Sequence, residues 1–312
     1  MAIAERAVRR RSAGGSVGTW LRKHRFELAL VAPLVAYVLV LTIAPIVDTF
    51  RLSFSAPRDG FPTFESYRAI TRTGVFRSAV LNTLIVAFLS LVLELSIGLS
   101  VALALHAKFA GRGFVRTVSL VPLGVPTIVS GAVMLLIFSR AGYFNSIMFL
   151  FAELVDKIPG IDWQWQSVSW TVAGGFRTLL TVAIADMWKV LPVMTLIFLA
   201  GLQAIPEDIY EAADVDGATK WQRFARVTLP LLVPYITMAI ILRAIDAFRI
   251  FELALVLAGP ERVLGTFIAE RYLPPTNDPF TSAAASIVLF GMIMVFIVLY
   301  LRFVAARQQV RL

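Results

Sequence analysis

The sequence predicts an all-α, polytopic membrane protein with about six transmembrane helices, and three observations lead to that prediction. Of the 312 residues, 58% are hydrophobic and only 16% are charged, whereas a water-soluble domain usually carries about 25% charged residues. The mean hydropathy is +0.79, so the apolar surface exceeds what one soluble core could bury. The apolar residues also occur in runs of about 20, the length that a helix needs to cross a bilayer.

Six runs are expected to be helices, because a backbone in hydrocarbon must satisfy its polar groups internally. Their predicted limits are 28–47, 79–105, 114–139, 176–202, 231–258 and 282–304. The first, second and sixth are cleanly apolar, whereas the third to fifth contain proline or charge. The first run is too long for the hydrophobic region of a secretory signal and is expected to be retained.

The distribution of basic residues sets the expected orientation. The formal net charge is +9, and the Lys and Arg residues lie between apolar runs, which favours a membrane protein over a nucleic-acid binder. The basic N-terminal segment 1–27 contains the cluster Arg9-Arg10-Arg11, and the segments on its side of the membrane are richer in Lys and Arg than the others. We therefore expect both termini to be cytoplasmic, the second in a tail at 305–312.

The longest segment on the outer side, 140–177, contains Trp163, Trp165 and Trp170. Its stretch 144–155 is apolar and helix-like. Tryptophan is enriched at the level of the lipid headgroups, so the sequence predicts a short helix lying in the outer interface.

The inner segment 203–230 predicts two short helices rather than a passive loop. Pro206 suits the first position of a helix, and the two acidic residues that follow it suit the positive end of the helix dipole. This first helix should end near Gly217, because glycine commonly terminates helices.

A second short helix is expected after that turn. Asp216 is the predicted cap of this helix, which runs through Trp221 and Phe224. Leu229-Pro230 is expected to stop it and to begin the fifth span. The result would be a helix–turn–helix elbow with an apolar side, which is typical of a docking element.

The elbow carries a recognisable spacing. Glu211-Ala212-Ala213 is followed after three residues by Gly217, after nine more by Val227, and then by Leu229-Pro230. This spacing resembles the EAA loop of permease subunits from binding-protein-dependent ABC importers, in which the usual residue at Val227 is Ile. Asn82-Thr83 and the run Asp246-Ala247-Phe248-Arg249 look like carbohydrate-importing members of the maltose and trehalose type.

The resemblance implies a transmembrane permease domain, 28–304, in a bacterial cytoplasmic (inner) membrane. It implies that the elbow fits a cleft on a separate ATPase subunit. The docking residues would be Glu211, Ala212, Ala213, Asp216, Gly217, Trp221, Phe224, Leu229 and Pro230. It also implies a second homologous permease, two ATPase subunits and an extracytoplasmic solute-binding protein. The implied solute is a sugar of the disaccharide or oligosaccharide class.

No G-x-x-x-x-G-K-[ST] phosphate-binding loop occurs in the sequence. ATP and Mg²⁺ are therefore expected on the partner ATPase, with no cofactor in this chain and no enzymatic activity of its own. Cysteine is absent and only two histidines occur, which excludes a metal centre built from these residues.

Charged residues within the fourth and fifth spans mark a candidate solute path, because charge in a membrane faces a partner or a cavity. Asp186 and Lys189 are three residues apart, and Asp246, Arg249 and Glu252 repeat that spacing. Two interpretations remain open: ion pairs that lower the cost of insertion, or a polar lining for a hydroxyl-rich solute.

Four other residues within the spans are also expected to make specific contacts inside the membrane. Trp188 and Phe248 are candidates for stacking against a sugar ring, and packing is the alternative. Arg243 precedes Asp246 by three residues, the spacing of a local pair. Glu94 stands alone in the second span and is expected to bond across helices.

Two other classes of protein compete with an importer subunit. A secondary transporter would use an ion gradient and should show inverted repeats with matching broken helices, which spans one to three do not supply. An intramembrane phosphatidyltransferase-type enzyme is suggested by Asp216-Gly217-Ala218, but residues 219–233 contain none of the further aspartates of that signature.

Overall fold

The structure is a computed structural model that describes residues 24–57, 60–107, 109–158, 163–171, 174–260 and 262–309. Within these ranges the chain is helical, and the only β-type pairing is an isolated bridge between Ala56 and Gly60. The all-α prediction is confirmed. The predicted cluster Arg9-Arg10-Arg11 and the last residues of the predicted tail, 310–312, lie outside the described ranges.

The chain divides after Arg51 into two units. The described part of the first unit contains helix α1, Arg25–Val38, a π-helical segment, Leu39–Ile43, and most of α2, Ala44–Ser53. Apolar residues are distributed all around α1, which is the pattern of a helix solvated by lipid.

The second unit, from Leu52 onward, contains the remaining helices. They are α3 (Glu65–Arg72), α4 (Gly74–His106), α5 (Arg112–Ser119), α6 (Val121–Gly124), α7 (Thr127–Phe138), α8 (Tyr143–Asp156), α9 (Gly175–Gln203), α10 (Glu207–Val215), α11 (Lys220–Arg223), α12 (Leu229–Phe248), α13 (Glu252–Ala258), α14 (Leu264–Tyr272) and α15 (Pro279–Gln309).

Six helical stretches of the described chain are long and apolar enough to cross a membrane, as predicted. They are Arg25–Ser53, Gly74–His106, Thr127–Asp156, Gly175–Gln203, Lys220–Phe248 and Pro279–Ala306. The second, fourth and sixth extend the predicted limits by a few residues at one or both ends, which is the usual uncertainty of helix boundaries.

The third predicted span, 114–139, is not one helix. It is divided into α5, α6 and α7, and Pro126 has an extended backbone (φ −56°, ψ 141°) immediately before α7. Proline lacks the N–H group that would continue the helix, and its ring disfavours helical geometry in the preceding residue. The third apolar stretch instead comprises α7 and α8.

The fifth predicted span, 231–258, is also interrupted. Helix α12 ends at Phe248, and α13 begins at Glu252. Between them Ile250 is buried, and its carbonyl oxygen lies so close to Gly265 that a Cβ atom there would be 2.4 Å away. Packing of this carbonyl against α14 therefore overrides a sequence that could have continued the helix.

Helix α9 lies at the centre of the second unit and packs against α4, α7, α12 and α13. Its contact with α4 is close, because a Cβ atom at Gly98 would lie 2.9 Å from the Cβ atom of Met194. Gly201, near the end of α9, is equally close to Tyr235 of α12. Small residues thus let these helix backbones approach each other, as is common between membrane helices.

The segment after α8 is attached to it by one buried amide. The Nδ2 group of Asn145 donates to the carbonyls of Ser139, Arg140 and Val168, and its Oδ1 atom accepts from the indole of Trp165 and from the N–H of Val168. The stretch 144–155 forms α8, so the predicted helix is present. This helix belongs to the third stretch that is long enough to cross a membrane, and its position in the outer interface stays a prediction.

Candidate functional site

The segment between α9 and α12 forms a compact helical turn. Helix α10 ends at Val215, Gly217 adopts the left-handed conformation (φ +74°), and the N–H of Ala218 donates to the carbonyl of Ala213. The N–H of Gly217 donates to the carbonyl of Asp214. These two bonds form a Schellman motif, which requires the left-handed residue that glycine supplies without strain.

The second helix of the segment begins later than predicted. Thr219, not Asp216, is the N-cap of α11: its hydroxyl accepts from the N–H of Gln222, and the Gln222 side chain accepts from the N–H of Thr219. Such a capping box satisfies two backbone donors at once. The carboxylate of Asp216 is three residues too early to do this.

Leu229-Pro230 does not stop this helix. From Lys220 the chain continues through a π-helical segment, Phe224–Thr228, directly into α12. Pro230 cannot donate a backbone hydrogen bond, and the wider π turn just before it accommodates the missing donor. One continuous helical stretch therefore extends from Lys220 to Phe248.

The two helices of this turn are joined by an ion pair that sequence reasoning missed. The Nη1 group of Arg223 lies 2.8 Å from both carboxylate oxygens of Asp214, and the guanidinium also stacks over the ring of Tyr210 at 5.6 Å. Opposite charges on either side of a predicted glycine turn were the available signal. We call the segment from Glu207 to Pro230, closed by this pair, the elbow.

The predicted docking residues fall into two groups on the elbow. Glu211, Ala212, Asp216, Gly217 and Trp221 are exposed, and Trp221 is 73% exposed. Ala213 is buried inside the turn, while Phe224, Leu229 and Pro230 are half-buried. The rings of Trp221 and Phe224 lie 5.7 Å apart and give the elbow an aromatic surface beside its acidic one.

A cavity of about 510 Å³ lies between the elbow and the ends of α4 and α9. Leu103 and His106 line it from α4, Leu202 lines it from α9, and charged residues of the elbow complete it. The elbow therefore stands over the same end of the unit at which α4 ends and α9 ends.

A buried ionic cluster joins three spans. The guanidinium of Arg243 in α12 donates two hydrogen bonds to Glu94 of α4, at 2.8 and 2.7 Å, and one to Asp186 of α9, at 2.9 Å. The side chains of Arg243, Glu94 and Asp186 are 2%, 0% and 11% exposed. The expectation that Glu94 bonds across helices is confirmed.

Lys189 does not pair with Asp186, although the two are three residues apart. Its ammonium group donates to the backbone carbonyls of Pro122, Leu123 and Val125, where the third predicted span is broken. Two of these carbonyls, those of Leu123 and Val125, have no backbone donor among the described residues where the helix is interrupted, and the lysine N–H groups supply one. The carbonyl of Pro122 accepts from the N–H of Val125 as well as from Lys189. This placement makes Lys189 a cap for the broken helix.

Of the other candidate path residues, Phe248 and Trp188 serve packing. Phe248 is buried and contacts Phe296 at a ring distance of 5.5 Å, and Trp188 packs on the cluster around Leu253. The break between α12 and α13 separates Arg249 from Glu252, so the predicted helical spacing between these two does not exist. Both are exposed, and among the described residues neither forms an ion pair.

Asp246 is the exposed member of the ionic cluster. Its carboxylate lies 3.5 Å from the guanidinium of Arg243 and is 59% exposed. It stands at one end of a groove of about 680 Å³ along α12. The groove is otherwise lined by Pro234, Thr237, Met238, Ile241, Leu242 and Ile245.

Asn82-Thr83, the other pair that carried the resemblance, holds the connection between α13 and α14. The amide of Asn82 donates to the carbonyl of Arg262, and the hydroxyl of Thr83 accepts from the N–H of Leu264, both at 2.8 Å. Thr83 is fully buried. These two hydrogen bonds hold the connection between α13 and α14 against α4.

Comparison with known proteins supplies the family context for these two features, the elbow and the ionic cluster. Residues 94–308 match the family described as "Binding-protein-dependent transport system inner membrane component". That match includes the whole elbow, α12 and all members of the buried cluster.

Two curated relatives cover almost the whole chain. The trehalose/maltose transport system permease protein MalF of Thermococcus litoralis is 34% identical over 90% of this chain and 94% of its own length. The trehalose transport system permease protein SugA of Mycobacterium tuberculosis is 30% identical over 93% of this chain and 92% of its own length.

A solved structure shares the fold. One chain of a bacterial ABC transporter involved in the import of the acidic polysaccharide alginate superimposes with a TM-score of 0.76, covering 91% of this chain and 96% of that one. Sequence identity is 21%, so this likeness concerns the fold alone.

Proposed function

The chain belongs to the family of binding-protein-dependent transport system inner membrane components, and from this premise we propose that it is the subunit that carries a sugar across the membrane and couples that movement to a separate ATPase through its elbow. As an ABC importer permease it is a multi-pass inner-membrane transport component rather than an enzyme. This membership also removes the secondary transporter and the phosphatidyltransferase as alternatives.

The proposal of a sugar rests on the two relatives whose names specify trehalose or maltose. The groups that remain accessible near the groove of α12 suit such a solute. Asp246 is exposed at its end, and Arg249 and Glu252 are exposed in the turn beyond. Carboxylate and guanidinium groups bond well to hydroxyl groups, so we assign the solute path to this side of α12. Asp186 and Lys189 are left out of the path because their partners are internal.

The proposal of ATPase coupling rests mainly on the surface of the elbow. Glu211 and Trp221 are exposed there and do not cover a hydrophobic core of the elbow itself. Exposed aromatic residues are typical centres of protein interfaces. The ion pair between Asp214 and Arg223 keeps the two elbow helices in one arrangement, as docking requires.

In this assembly the elbow faces the cytoplasm, and both termini lie on its side of the membrane. A second, homologous permease completes the path, two ATPase subunits bind ATP and Mg²⁺, and an extracytoplasmic binding protein delivers the solute. The segments placed on the cytoplasmic side contain more Lys and Arg than the others, which supports this orientation.

The test is co-purification from the native membrane in mild detergent. Wild type should bring down an ATPase chain, and the variant Glu211→Arg with Trp221→Ser should lose it while eluting as a folded monodisperse protein. A matched control, Glu153→Arg with Tyr143→Ser on exposed positions of α8, should retain the ATPase. Absence of an ATPase from the folded wild type would refute the coupling.

Sugar specificity is tested separately on the reconstituted importer with its binding protein. Trehalose or maltose should stimulate ATP hydrolysis, and Asp246→Asn should reduce that stimulation without dissociating the ATPase. Stimulation by non-sugar solutes alone would overturn the sugar assignment and leave the coupling intact.

A further inference from the structure

We propose that α5 is a lipid-binding helix that lies in the headgroup region on the elbow side of the membrane and binds anionic phospholipid. The proposal requires only that the chain spans a membrane, and it is independent of the solute and of the ATPase. It concerns a feature that the transport mechanism does not use.

The first observation is the division of α5 into two faces. Phe114 and Val118 are four residues apart and share one face, where they are 74% and 49% exposed. Arg112 and Arg116 are likewise four residues apart, and they lie on the opposite side because Arg112 and Phe114 are two positions apart, about 200° around the helix. Among the described residues neither arginine forms an ion pair.

The second observation is the depth at which α5 is held. It follows α4 by a few residues, and His106 at the end of α4 lines the cavity beneath the elbow. After α5 the chain passes through α6 into α7, the start of the third apolar stretch. Helix α5 therefore begins at the membrane surface on the elbow side.

The third observation is the continuity of the apolar surface. Beyond Phe114 and Val118 the chain exposes Val121, at 59%, and then Leu123 and Ile128, at 50% and 58%. A succession of exposed apolar side chains leading into a membrane span fits acyl chains. A protein partner would be expected to add polar contacts.

The charge of the opposite face decides the class of lipid. Two arginines on an interfacial helix attract anionic headgroups, and the guanidinium group binds phosphate with two parallel hydrogen bonds. An amphipathic helix with cations on one face and Phe and Val on the other is the pattern of an interfacial anchor. The expected occupant is therefore an anionic phospholipid such as phosphatidylglycerol.

The experiment uses the absence of cysteine in the chain. Phe114→Cys in the complete transporter is labelled with bimane and placed in nanodiscs of phosphatidylcholine, with or without one-third phosphatidylglycerol, in which the acyl chains are brominated. Ser119→Cys, half-buried on the arginine side of the same helix, is the matched control, and Val118→Cys replaces Phe114→Cys if that variant does not assemble.

Bromolipid should quench the label at position 114 and spare the label at position 119, and phosphatidylglycerol should increase the quenching. Arg112→Gln with Arg116→Gln should abolish that increase and leave the quenching in phosphatidylcholine unchanged. A label at 114 that is quenched by aqueous iodide, or that is shielded from both quenchers, would overturn the proposal. The second of these results would mean that a protein partner covers α5.

Discussion

The guanidinium of Arg243 holds both oxygens of the Glu94 carboxylate, at 2.8 and 2.7 Å, although 149 positions separate the two residues in the chain. The same guanidinium binds Asp186. One positive charge thus fixes α12 to α4 and α9 inside the membrane, close to the groove assigned to the solute.

Replacing Arg243 with Met should destabilise the folded chain by about 3–5 kcal/mol, because it leaves two carboxylates buried without their partner. The measurement is the midpoint of thermal unfolding in detergent. Arg249→Met, at the exposed position immediately after α12, should leave the midpoint nearly unchanged. Equal midpoints for the two variants would show that the buried cluster contributes no net stability.

Replacing Lys189 with Met should destabilise the chain by about 1–3 kcal/mol, because the carbonyls of Leu123 and Val125 lose their donor in an apolar environment. Thermal unfolding and protease sensitivity near residue 125 both measure this effect. The exposed Lys157→Met is the control. A Lys189 variant that resists the protease as wild type does would contradict the capping role.

Exchanging the charges of Asp214 and Arg223 tests whether coupling depends on their ion pair or on the individual side chains. Asp214→Arg alone should loosen the elbow and lower ATPase stimulation, although this half-exposed pair should change folding stability by only about 0.2–1 kcal/mol. Combining it with Arg223→Asp should restore stimulation, because the pair is re-formed in reverse. Failure of the double variant to recover would mean that the individual side chains, not their pairing, contact the partner.

Replacing Gly98 with Ala should cost about 1–3 kcal/mol, because its Cβ atom would lie 2.9 Å from that of Met194 and would force α4 and α9 apart. Gly113→Ala is the matched control within a helix, since nothing lies within 4 Å of its Cβ position, and it should be neutral or slightly stabilising. The measurement is the midpoint of thermal unfolding of each variant in detergent. A neutral Gly98 variant would show that the helix pair can separate freely.

The sequence was sufficient for features determined by local chemistry and by length. The six apolar stretches follow from runs of about 20 residues, and the first elbow helix begins and ends where Pro206 and Gly217 indicate. The second elbow helix was placed too early, because the Thr219–Gln222 capping box competes with Asp216 and provides two backbone bonds. The spacing of that box, Thr219-x-x-Gln222, is itself present in the sequence.

Features determined by distant parts of the chain were not predictable in the same way. Spacing along one helix paired Lys189 with Asp186, whereas the true partners of Lys189 are backbone carbonyls of a different, broken helix. The break after Phe248 depends on the close approach of the Ile250 carbonyl to Gly265. Glu94 was expected to bond across helices, but no pattern in one sequence identifies Arg243 as its partner.

The long separation between these partners affects how the chain is made. During synthesis Glu94 enters the bilayer 149 residues before the guanidinium that binds it, and the carbonyl of Leu123 precedes Lys189 by 66 residues. Unpaired polar groups of this kind are expensive in hydrocarbon. The insertion machinery must therefore keep the early spans out of contact with lipid until α9 and α12 have been synthesised. A chain truncated before α12 should remain bound to that machinery or be degraded.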